Sequence, residues 1–283
     1  MGGRRRRSSV NQPPVKASQG LSGGRRRSYG CGVRLLLSLI FVTKIAAIWI
    51  ARAAPGTAAA LWFVPDLLML YHLFAPGARG ILTMHPRFVA QGREVWLTID
   101  DGPDPDDTPR ILKLLTAHGA KATFFVIGEH AAAHPDLVRA MIAGGHEVAN
   151  HTQTHPLGSF WCAPPARLGR EIDECLAVLH GIGATPTRFR PPAGLRNLLL
   201  GPALARRRLQ CIGWSVRGLE RLHSDPRAVA DRVLRGLAPG AILLMHEGPR
   251  VHPALRVEAL RLVLEGLREM GYRCVIPARD QVG

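Results

Sequence analysis

The feature that most constrains the fold is a regular alternation of short apolar segments with longer amphipathic segments, which starts near residue 94. The apolar segments have the length of strands and the amphipathic segments have the length of helices. Strands that alternate with helices favour a parallel α/β sheet, and about seven repeats favour a barrel. The expected strands are 94–99, 122–127, 146–150, 187–190, 210–216, 241–246 and 272–276, and the expected helices are 107–118, 135–144, 165–180, 197–208, 225–237 and 253–270.

Polar residues fall at the carboxyl ends of these strands, where parallel α/β folds gather their functional groups. Two adjacent carboxylates, Asp100 and Asp101, follow the first strand directly and precede a Gly-Pro break. Later strands end at a histidine pair, at Arg190 and at His246. An Asp-Asp pair before Gly-Pro is also ordinary turn chemistry, so this segment alone leaves both interpretations open.

The histidine pair consists of His151 and His155, which are four residues apart. This spacing places both imidazoles on one side of a helical turn, from which both can reach one metal. One carboxylate and two histidines leave a coordination position open for water. A single pair also arises by chance in a chain with 12 histidines. The double aspartate and the pair together, in this order, favour a metal site.

Positive charge is concentrated at the N-terminus. The formal net charge is +16, and residues 1–34 carry nine Arg or Lys and no acid. Their Arg, Ser, Gly and Pro composition cannot bury a core, which predicts disorder. A nucleic-acid-binding arm is the alternative, but no aromatic residues interleave with the arginine runs. We therefore favour a positive flank for a membrane segment and expect no nucleic-acid partner.

Cysteine usage excludes two classes of small protein. The five cysteines are odd in number and form no CxxC motif. A disulfide framework needs paired cysteines, and a zinc ribbon needs closely spaced ones. Neither class fits this chain.

Two apolar segments follow the basic tail, and each approaches the lower limit of about 17 residues for a bilayer-spanning helix. Lys44 interrupts the first segment and Asp66 the second. In an antiparallel hairpin the two charges would reach similar depth and could pair. The alternative is a single signal anchor followed by a segment that lies at the interface. The expected regions are a basic tail at 1–34, one or two transmembrane helices at 35–76, a linker at 77–91 and a catalytic domain at 92–280.

The number of spans decides the side of the membrane on which the domain lies. One span places it outside the cytoplasm, whereas two spans return it to the side of the basic tail. Arg79, Arg87 and Arg93 follow the second segment, and the positive-inside rule then favours two spans. We expect anchoring in a bacterial inner membrane.

Residues 92–278 resemble the NodB-type polysaccharide deacetylases, carbohydrate esterase family 4. Four motifs of that family occur in order in this chain. They are Thr98-Ile99-Asp100-Asp101-Gly102, similar to T-F-D-D-G; Asn150-His151-Thr152-Gln153-Thr154-His155-Pro156, similar to the second motif; Arg188-Phe189-Arg190-Pro191-Pro192-Ala193-Gly194, similar to R-x-P-P-x-G; and Leu244-Met245-His246, similar to L-x-H.

The resemblance implies a deformed (β/α) barrel, the NodB homology domain, preceded here by the membrane-spanning helices. It also implies a divalent metal, most often Zn²⁺, held by Asp101, His151 and His155. Family precedent places such a domain on the periplasmic or extracellular side, in contrast to the cytoplasmic side that a two-helix hairpin implies.

The resemblance further implies the catalytic roles. Asp100 would be the general base, His246 the general acid, and Arg190 would orient Asp100 and balance its charge. The implied reaction removes an N-acetyl or other N-acyl group from an amino sugar through a metal-bound water. The substrate would be an N-acylated glycan, either a polysaccharide or a lipid-linked glycan or glycolipid.

Four further residues are candidates for substrate binding. Pro191 and Pro192 belong to the third motif, and Trp214 ends a strand. Trp161 either stacks on a sugar ring or plugs a loop, and the sequence leaves both open.

The chain departs from the family pattern in its third and fourth motifs. The fourth motif places an aspartate after a strand such as Trp214-Ser215-Val216, where this chain has Arg217. That aspartate pairs with the catalytic histidine, and Arg217 would lower the pKa of His246 if it pointed inward. Glu220 or Glu247 could substitute. An alternative function is therefore a degenerate, catalytically weak carbohydrate-binding membrane protein.

The third motif has Ala193 where an aromatic residue is common. It continues into an unusual Leu195-Arg196-Asn197 segment. Both changes predict a substrate pocket unlike that of the chitin or peptidoglycan enzymes.

Overall fold

The computed structural model describes residues 29–74 and 82–282, so most of the basic tail lies outside the described residues. Its first elements are helices α1 (Tyr29–Ile50) and α2 (Pro55–Phe74), which form a hairpin through a short turn. Among the described residues, α2 is long and apolar enough to cross a membrane, while the apolar segment Leu35–Ile50 of α1 is shorter. Length and composition are thus compatible with a membrane span at α2, and the number of spans stays a prediction.

An ion pair joins the two helices of the hairpin. Lys44 Nζ donates to Asp66 Oδ2 at 2.6 Å and to the carbonyl of Trp62 at 3.2 Å. The ammonium also lies 4.5 Å from the centroid of the Trp62 ring. The expected pairing of Lys44 with Asp66 is confirmed, and it reduces the cost of placing both charges in apolar surroundings.

Eight parallel strands form the sheet of the second region. Seven of them follow the order β5-β4-β3-β2-β1-β7-β6, and β8 pairs with the start of β1. Strand β1 is central and buried along its whole length. This open parallel arrangement confirms the deformed barrel of about seven strands. The strands are β1 (Glu94–Asp100), β2 (Ala122–Val126), β3 (Glu147–Asn150), β4 (Arg188–Phe189), β5 (Gln210–Cys211), β6 (Val216–Arg217), β7 (Ala241–His246) and β8 (Arg273–Cys274).

Amphipathic helices cover the sheet with their apolar stripes, as their sequence period requires. Ile111 and Leu115 of the first of these helices, and Val263 and Leu267 of the last, belong to the main core and are almost fully buried. Burial of such side chains contributes roughly 1.5–3 kcal/mol each. The helices are α3 (Thr108–Ala117), α4 (Gly128–Ala133), α5 (Pro135–Ala143), α6 (Pro165–Ile182), α7 (Leu200–Arg206), α8 (Pro226–Arg235) and α9 (Glu258–Glu269).

The observed elements differ from the expected ones mainly where backbone groups serve the site. The expected strand 210–216 is split into β5 and β6, and the carbonyls of Ile212 and Gly213 between them accept from the Arg190 guanidinium. Helix α7 begins later than expected because the Asn197 side chain accepts from Leu199 N–H and donates to two carbonyls. Helix α4 was not expected, since its six residues show too little periodicity.

The hairpin is attached to the α/β region at residues 195–198. The Arg196 N–H donates to the carbonyl of Leu73 at 3.4 Å, and its guanidinium donates to that of His72 at 3.5 Å. Both carbonyls belong to the last turn of α2, where helices lack internal donors. Leu198 packs against Leu73. The Leu195-Arg196-Asn197 segment, which departs from the family pattern, therefore attaches the hairpin to the α/β region.

Candidate active site

Strand register brings the predicted catalytic residues together. Asp100 ends β1 beside His246, which ends β7 as its direct partner. His151 follows β3, and Arg190 follows β4. All of these strands are parallel, so their carboxyl ends share one edge of the sheet, as expected for this fold class.

Three buried side chains form a candidate metal centre at this edge. One ligand atom each from Asp101, His151 and His155 lies within 4.8 Å of the others. Asp101 Oδ1 is 3.5 Å from Nε2 of His151 and 3.2 Å from Nε2 of His155. The three ligands that the sequence singled out therefore converge, and their nitrogen and oxygen donors suit a divalent transition metal such as zinc.

The tautomer of His151 supports metal binding. Its Nδ1 lies 2.8 Å from the carbonyl of Arg190. A carbonyl can only accept, so Nδ1 carries the proton and Nε2 presents a lone pair to the centre. At the other histidine, the Arg250 guanidinium contacts Nδ1 of His155. A guanidinium can only donate, so Nδ1 accepts here and the neutral ring carries its proton on Nε2; metal binding through this Nε2 would require the contact with Arg250 to break.

Electrostatics keep Asp101 ionised. Burial by itself raises the pKa of Asp101, but the adjacent His151 and His155 outweigh burial and hold the pKa below its usual range. Its backbone is also left-handed, with φ 75°. Such a conformation costs a non-glycine residue about 1–3 kcal/mol and is typical of functional sites.

The segment that carries the histidines is a loop and not the helical turn that their spacing suggested. Thr152 and His155 have φ of 72° and 52°, which a right-handed turn does not allow. The carboxylate of Glu171 on α6 accepts from the N–H groups of Gln153 and Thr154 at 3.0 and 2.9 Å. The predicted helical turn was therefore wrong. The contacts with Glu171 hold the loop in a conformation in which both imidazoles face one point.

Arg190 holds Asp100 from behind the centre. It is fully buried, and Nη1 donates to Asp100 Oδ1 at 2.6 Å and to Thr98 Oγ1 at 2.8 Å. Its guanidinium lies 4.1 Å from the centroid of the Phe125 ring. A charge-assisted bond of this kind orients the carboxylate, and Oδ2 of Asp100 faces His151 at 3.7 Å.

His246 is paired with Glu220 rather than with a residue at position 217. Its Nδ1 lies 3.3 Å from Oε1 of Glu220, whose side chain is only 3% exposed. Burial lowers the pKa of His246, but the Glu220 carboxylate outweighs burial and the pKa is raised. Arg217 is exposed and lines the same cavity, but the pKa of His246 is raised, so the lowered pKa considered from the sequence is not found.

The cavity above the centre has a volume of about 160 Å³ and two unlike sides. The metal wall carries the ionisable groups of β1 and the β3 loop: Asp100, Asp101, His151 and His155. The substrate wall comes from irregular segments after β4 and around β6: Ala193, Gly194, Trp214, Arg217, Leu219 and Leu222.

The four candidate substrate residues are placed differently. Trp214 lines the cavity, and a Cβ added at Gly194 would lie 2.5 Å from its ring, so the ring rests on the glycine backbone. Pro191 and Pro192 are buried behind the cavity. The Trp161 ring lies 5.4 Å from the Phe74 ring at the end of α2, away from the cavity.

Sequence reasoning missed one supporting carboxylate and left the choice of a second undecided. Glu171 faces the histidine loop from within an amphipathic helix, and an ordinary solvated glutamate would give the same pattern. Glu220 was named only as one of two possible substitutes, and the available signal was its position three residues after Arg217. The other substitute, Glu247, does not reach His246 and instead accepts from the Thr108 hydroxyl.

Comparisons with known proteins agree with this geometry. A model of the polysaccharide deacetylase family matches residues 89–210. The chain is 40% identical over 165 residues to a chitooligosaccharide deacetylase of Bradyrhizobium sp. (strain ANU 289), covering 56% of this chain and 73% of that protein. It is 33% identical over 187 residues to a peptidoglycan-N-acetylglucosamine deacetylase of Bacillus cereus, covering 63% of this chain and 84% of that protein.

A solved structure shares the fold. The family 4 carbohydrate esterase from Streptomyces lividans in complex with acetate matches with a TM-score of 0.61 and 32% identity. The match covers 68% of this chain and 96% of that chain. Sequence and fold thus lead to the same set of relatives.

Proposed function

Because this chain belongs to the NodB-type polysaccharide deacetylases, carbohydrate esterase family 4, and is a hydrolase of carbon–nitrogen bonds like its deacetylase relatives, we propose that it removes the N-acetyl group from N-acetylglucosamine in a glycan. The single observation that carries the proposal is the convergence of Asp101, His151 and His155 beside Asp100. The relatives named above act on chitooligosaccharide and on peptidoglycan N-acetylglucosamine, which supports this substrate class.

The centre would hold a divalent metal, for which the donor set favours zinc. Asp101, His151 and His155 would be its ligands, because one oxygen or nitrogen atom of each converges on a common point and the Nδ1 of His151 is engaged by a carbonyl, which leaves its Nε2 for the metal. A bound metal supplies Lewis acidity that lowers the pKa of water and polarises the acyl oxygen.

Two groups beside the centre would move the protons. Asp100, oriented by Arg190, takes the proton of the attacking water as general base. His246, kept protonated by Glu220, donates a proton to the departing sugar nitrogen. Intact ligands and intact proton-transfer residues argue against a degenerate binding protein.

The hairpin would anchor this enzyme in a bacterial inner membrane. Large apolar side chains such as Phe41, Trp49 and Phe63 are exposed on both helices, and an exposed apolar surface of this kind marks a membrane or partner contact. Both ends of a two-helix hairpin lie on the same side, which would place the domain in the cytoplasm, whereas family precedent favours the outside. Labelling of a thiol introduced at position 283 with an impermeant reagent in intact cells distinguishes the two.

Acetate release tests the proposed reaction. We expect the zinc-loaded full-length protein in detergent to release acetate from an N-acetylated chitooligosaccharide. Asp100→Asn should lower kcat by about 10²–10⁴-fold, because the general base is lost, while the bound zinc is retained.

Asp106→Asn is the matched control, since Asp106 is an exposed turn residue on the same segment. It should keep the activity of the unmodified protein. Full turnover by Asp100→Asn, or no acetate from protein shown to contain zinc, would contradict the proposal.

A further inference from the structure

A second cavity of about 250 Å³ opens beside the catalytic one, between the end of the hairpin and the α/β domain. It shares Ala193, Gly194, Trp214 and Arg217 with the catalytic cavity, so the two spaces lie on either side of the substrate wall. A substrate whose acetylated sugar occupies the first space therefore extends naturally into the second.

One cation marks the junction of the two cavities. Arg217 lines both and is exposed, and its guanidinium makes no hydrogen bond or ion pair with any part of the chain that the structure describes. An unpaired guanidinium with five donors matches the geometry of a phosphate group. Neutral glycans offer no such partner, so Arg217 points to an anionic group next to the sugar.

The far side of the second cavity is apolar. Met84, Pro86 and Leu195 line it together with Phe74, the last residue of α2, and Arg196, whose guanidinium donates to the carbonyl of His72, is the one charged residue among them. Phe74 continues into the exposed apolar surface of the hairpin, which includes Tyr71 and Leu67. A free sugar phosphate would leave this side unused, whereas an apolar chain would cover it.

We propose that the second cavity is a subsite for a glycolipid in which a phosphate joins the acetylated amino sugar to an apolar chain. The inference rests on the proposed deacetylation. The phosphate binds Arg217, and the chain leaves over Phe74 along α2. The attachment of Arg196 to α2 keeps the two cavities in register with the hairpin.

Three probes separate the contributions of sugar, phosphate and chain. They are an uncharged N-acetylated chitooligosaccharide, N-acetylglucosamine 1-phosphate, and the farnesyl phosphodiester of N-acetylglucosamine. Acetate release and binding are measured for each with the zinc-loaded full-length protein in lipid nanodiscs. We expect kcat/KM for the farnesyl compound to exceed that for the oligosaccharide roughly tenfold to a hundredfold, the size of a charge-assisted contact.

Variants assign that preference to the cavity. Arg217→Ala should remove most of the preference for the farnesyl compound over the oligosaccharide. Arg110→Ala, which removes an exposed arginine of α3, should leave the preference unchanged.

Equal kcat/KM values for the farnesyl compound and an oligosaccharide that is hydrolysed would overturn the subsite and leave the deacetylase proposal intact. If N-acetylglucosamine 1-phosphate were preferred over the oligosaccharide as strongly as the farnesyl compound is, the proposed binding of an apolar chain would be overturned, while the phosphate contact would stand. If no probe released acetate while the farnesyl compound still bound through Arg217, the deacetylase proposal would fall instead.

Discussion

The metal wall and the substrate wall of one cavity are built in opposite ways. Asp101 and the other groups of the metal wall are at most 4% exposed and follow long, central strands. The substrate wall follows the two-residue strands β4 and β6, and its Ala193, Arg217 and Leu222 are exposed. The proposed metal ligands thus sit at the rigid centre of the sheet, while the segments in which this chain departs from the family motifs sit on its short outer strands.

The strongest test of this contrast removes a metal-wall ligand. Asp101→Ala should lower acetate release by at least about a thousandfold, because the Lewis acid is lost with its only carboxylate ligand. Metal analysis of the purified variant should show loss of bound zinc. Asp106→Ala provides the control and should keep both zinc and activity. An Asp101→Ala protein that kept both would contradict the assignment of the chemistry to the metal wall.

A buried carboxyl behind the metal wall should link stability to pH. Glu247 packs against Gly102, and burial, together with the Asp104 and Asp107 carboxylates, raises its pKa to about 8. The folded state therefore holds a proton that the unfolded chain releases near its ordinary pKa of about 4.5. Stability from this group is complete below about pH 4.5 and is lost as the pH rises through about 8.

Urea unfolding of Glu247→Gln and the unmodified protein measures this effect. Between about pH 5 and about pH 8.5, the free energy of unfolding of the unmodified protein should fall by on the order of 4 kcal/mol more than that of the variant. Parallel pH curves for the two proteins would show that Glu247 is ionised in the folded state.

On the substrate side, Glu220→Gln should act through His246. Loss of the carboxylate lowers the pKa of His246, so the decline of kcat with rising pH should begin at a lower pH than in the unmodified protein. We expect kcat to fall about tenfold at neutral pH. Glu174→Gln, on the exposed face of α6, should change neither kcat at neutral pH nor the pH dependence of kcat. An unshifted pH dependence for Glu220→Gln would assign Glu220 a purely structural role.

The smallest effect is expected at the hairpin attachment. Arg196→Ala removes a buried guanidinium that donates to the carbonyl of His72, and should cost about 1 kcal/mol, the typical net contribution of a hydrogen bond. Calorimetry in detergent should show a Tm lower by about 2–4 °C. Arg110→Ala should leave Tm unchanged; an equal Tm for Arg196→Ala would argue against a tight attachment.

The sequence predicted the metal wall almost completely and the substrate wall poorly. Asp101 and Asp100 follow a strand whose apolar period is unambiguous, so their position is determined by local pattern. Glu220 and Arg196 act through contacts to residues distant in the chain, and no local period encodes such contacts. The loop that carries His151 and His155 combines both cases. The spacing of the two histidines indicated that they face one common point, whereas the contact with Glu171, which is distant in the chain, holds the backbone in a non-helical conformation.

The ion pair between Lys44 and Asp66 has a consequence for the biogenesis of a membrane-inserted hairpin. Either charge alone at mid-depth of a bilayer is costly, by about 2.5–3.5 kcal/mol on insertion scales. A first helix that entered lipid before the second would carry that cost unrelieved. The two helices are therefore expected to leave the insertion machinery together, after Asp66 has been synthesised, and the chain is committed to the membrane only once both helices exist.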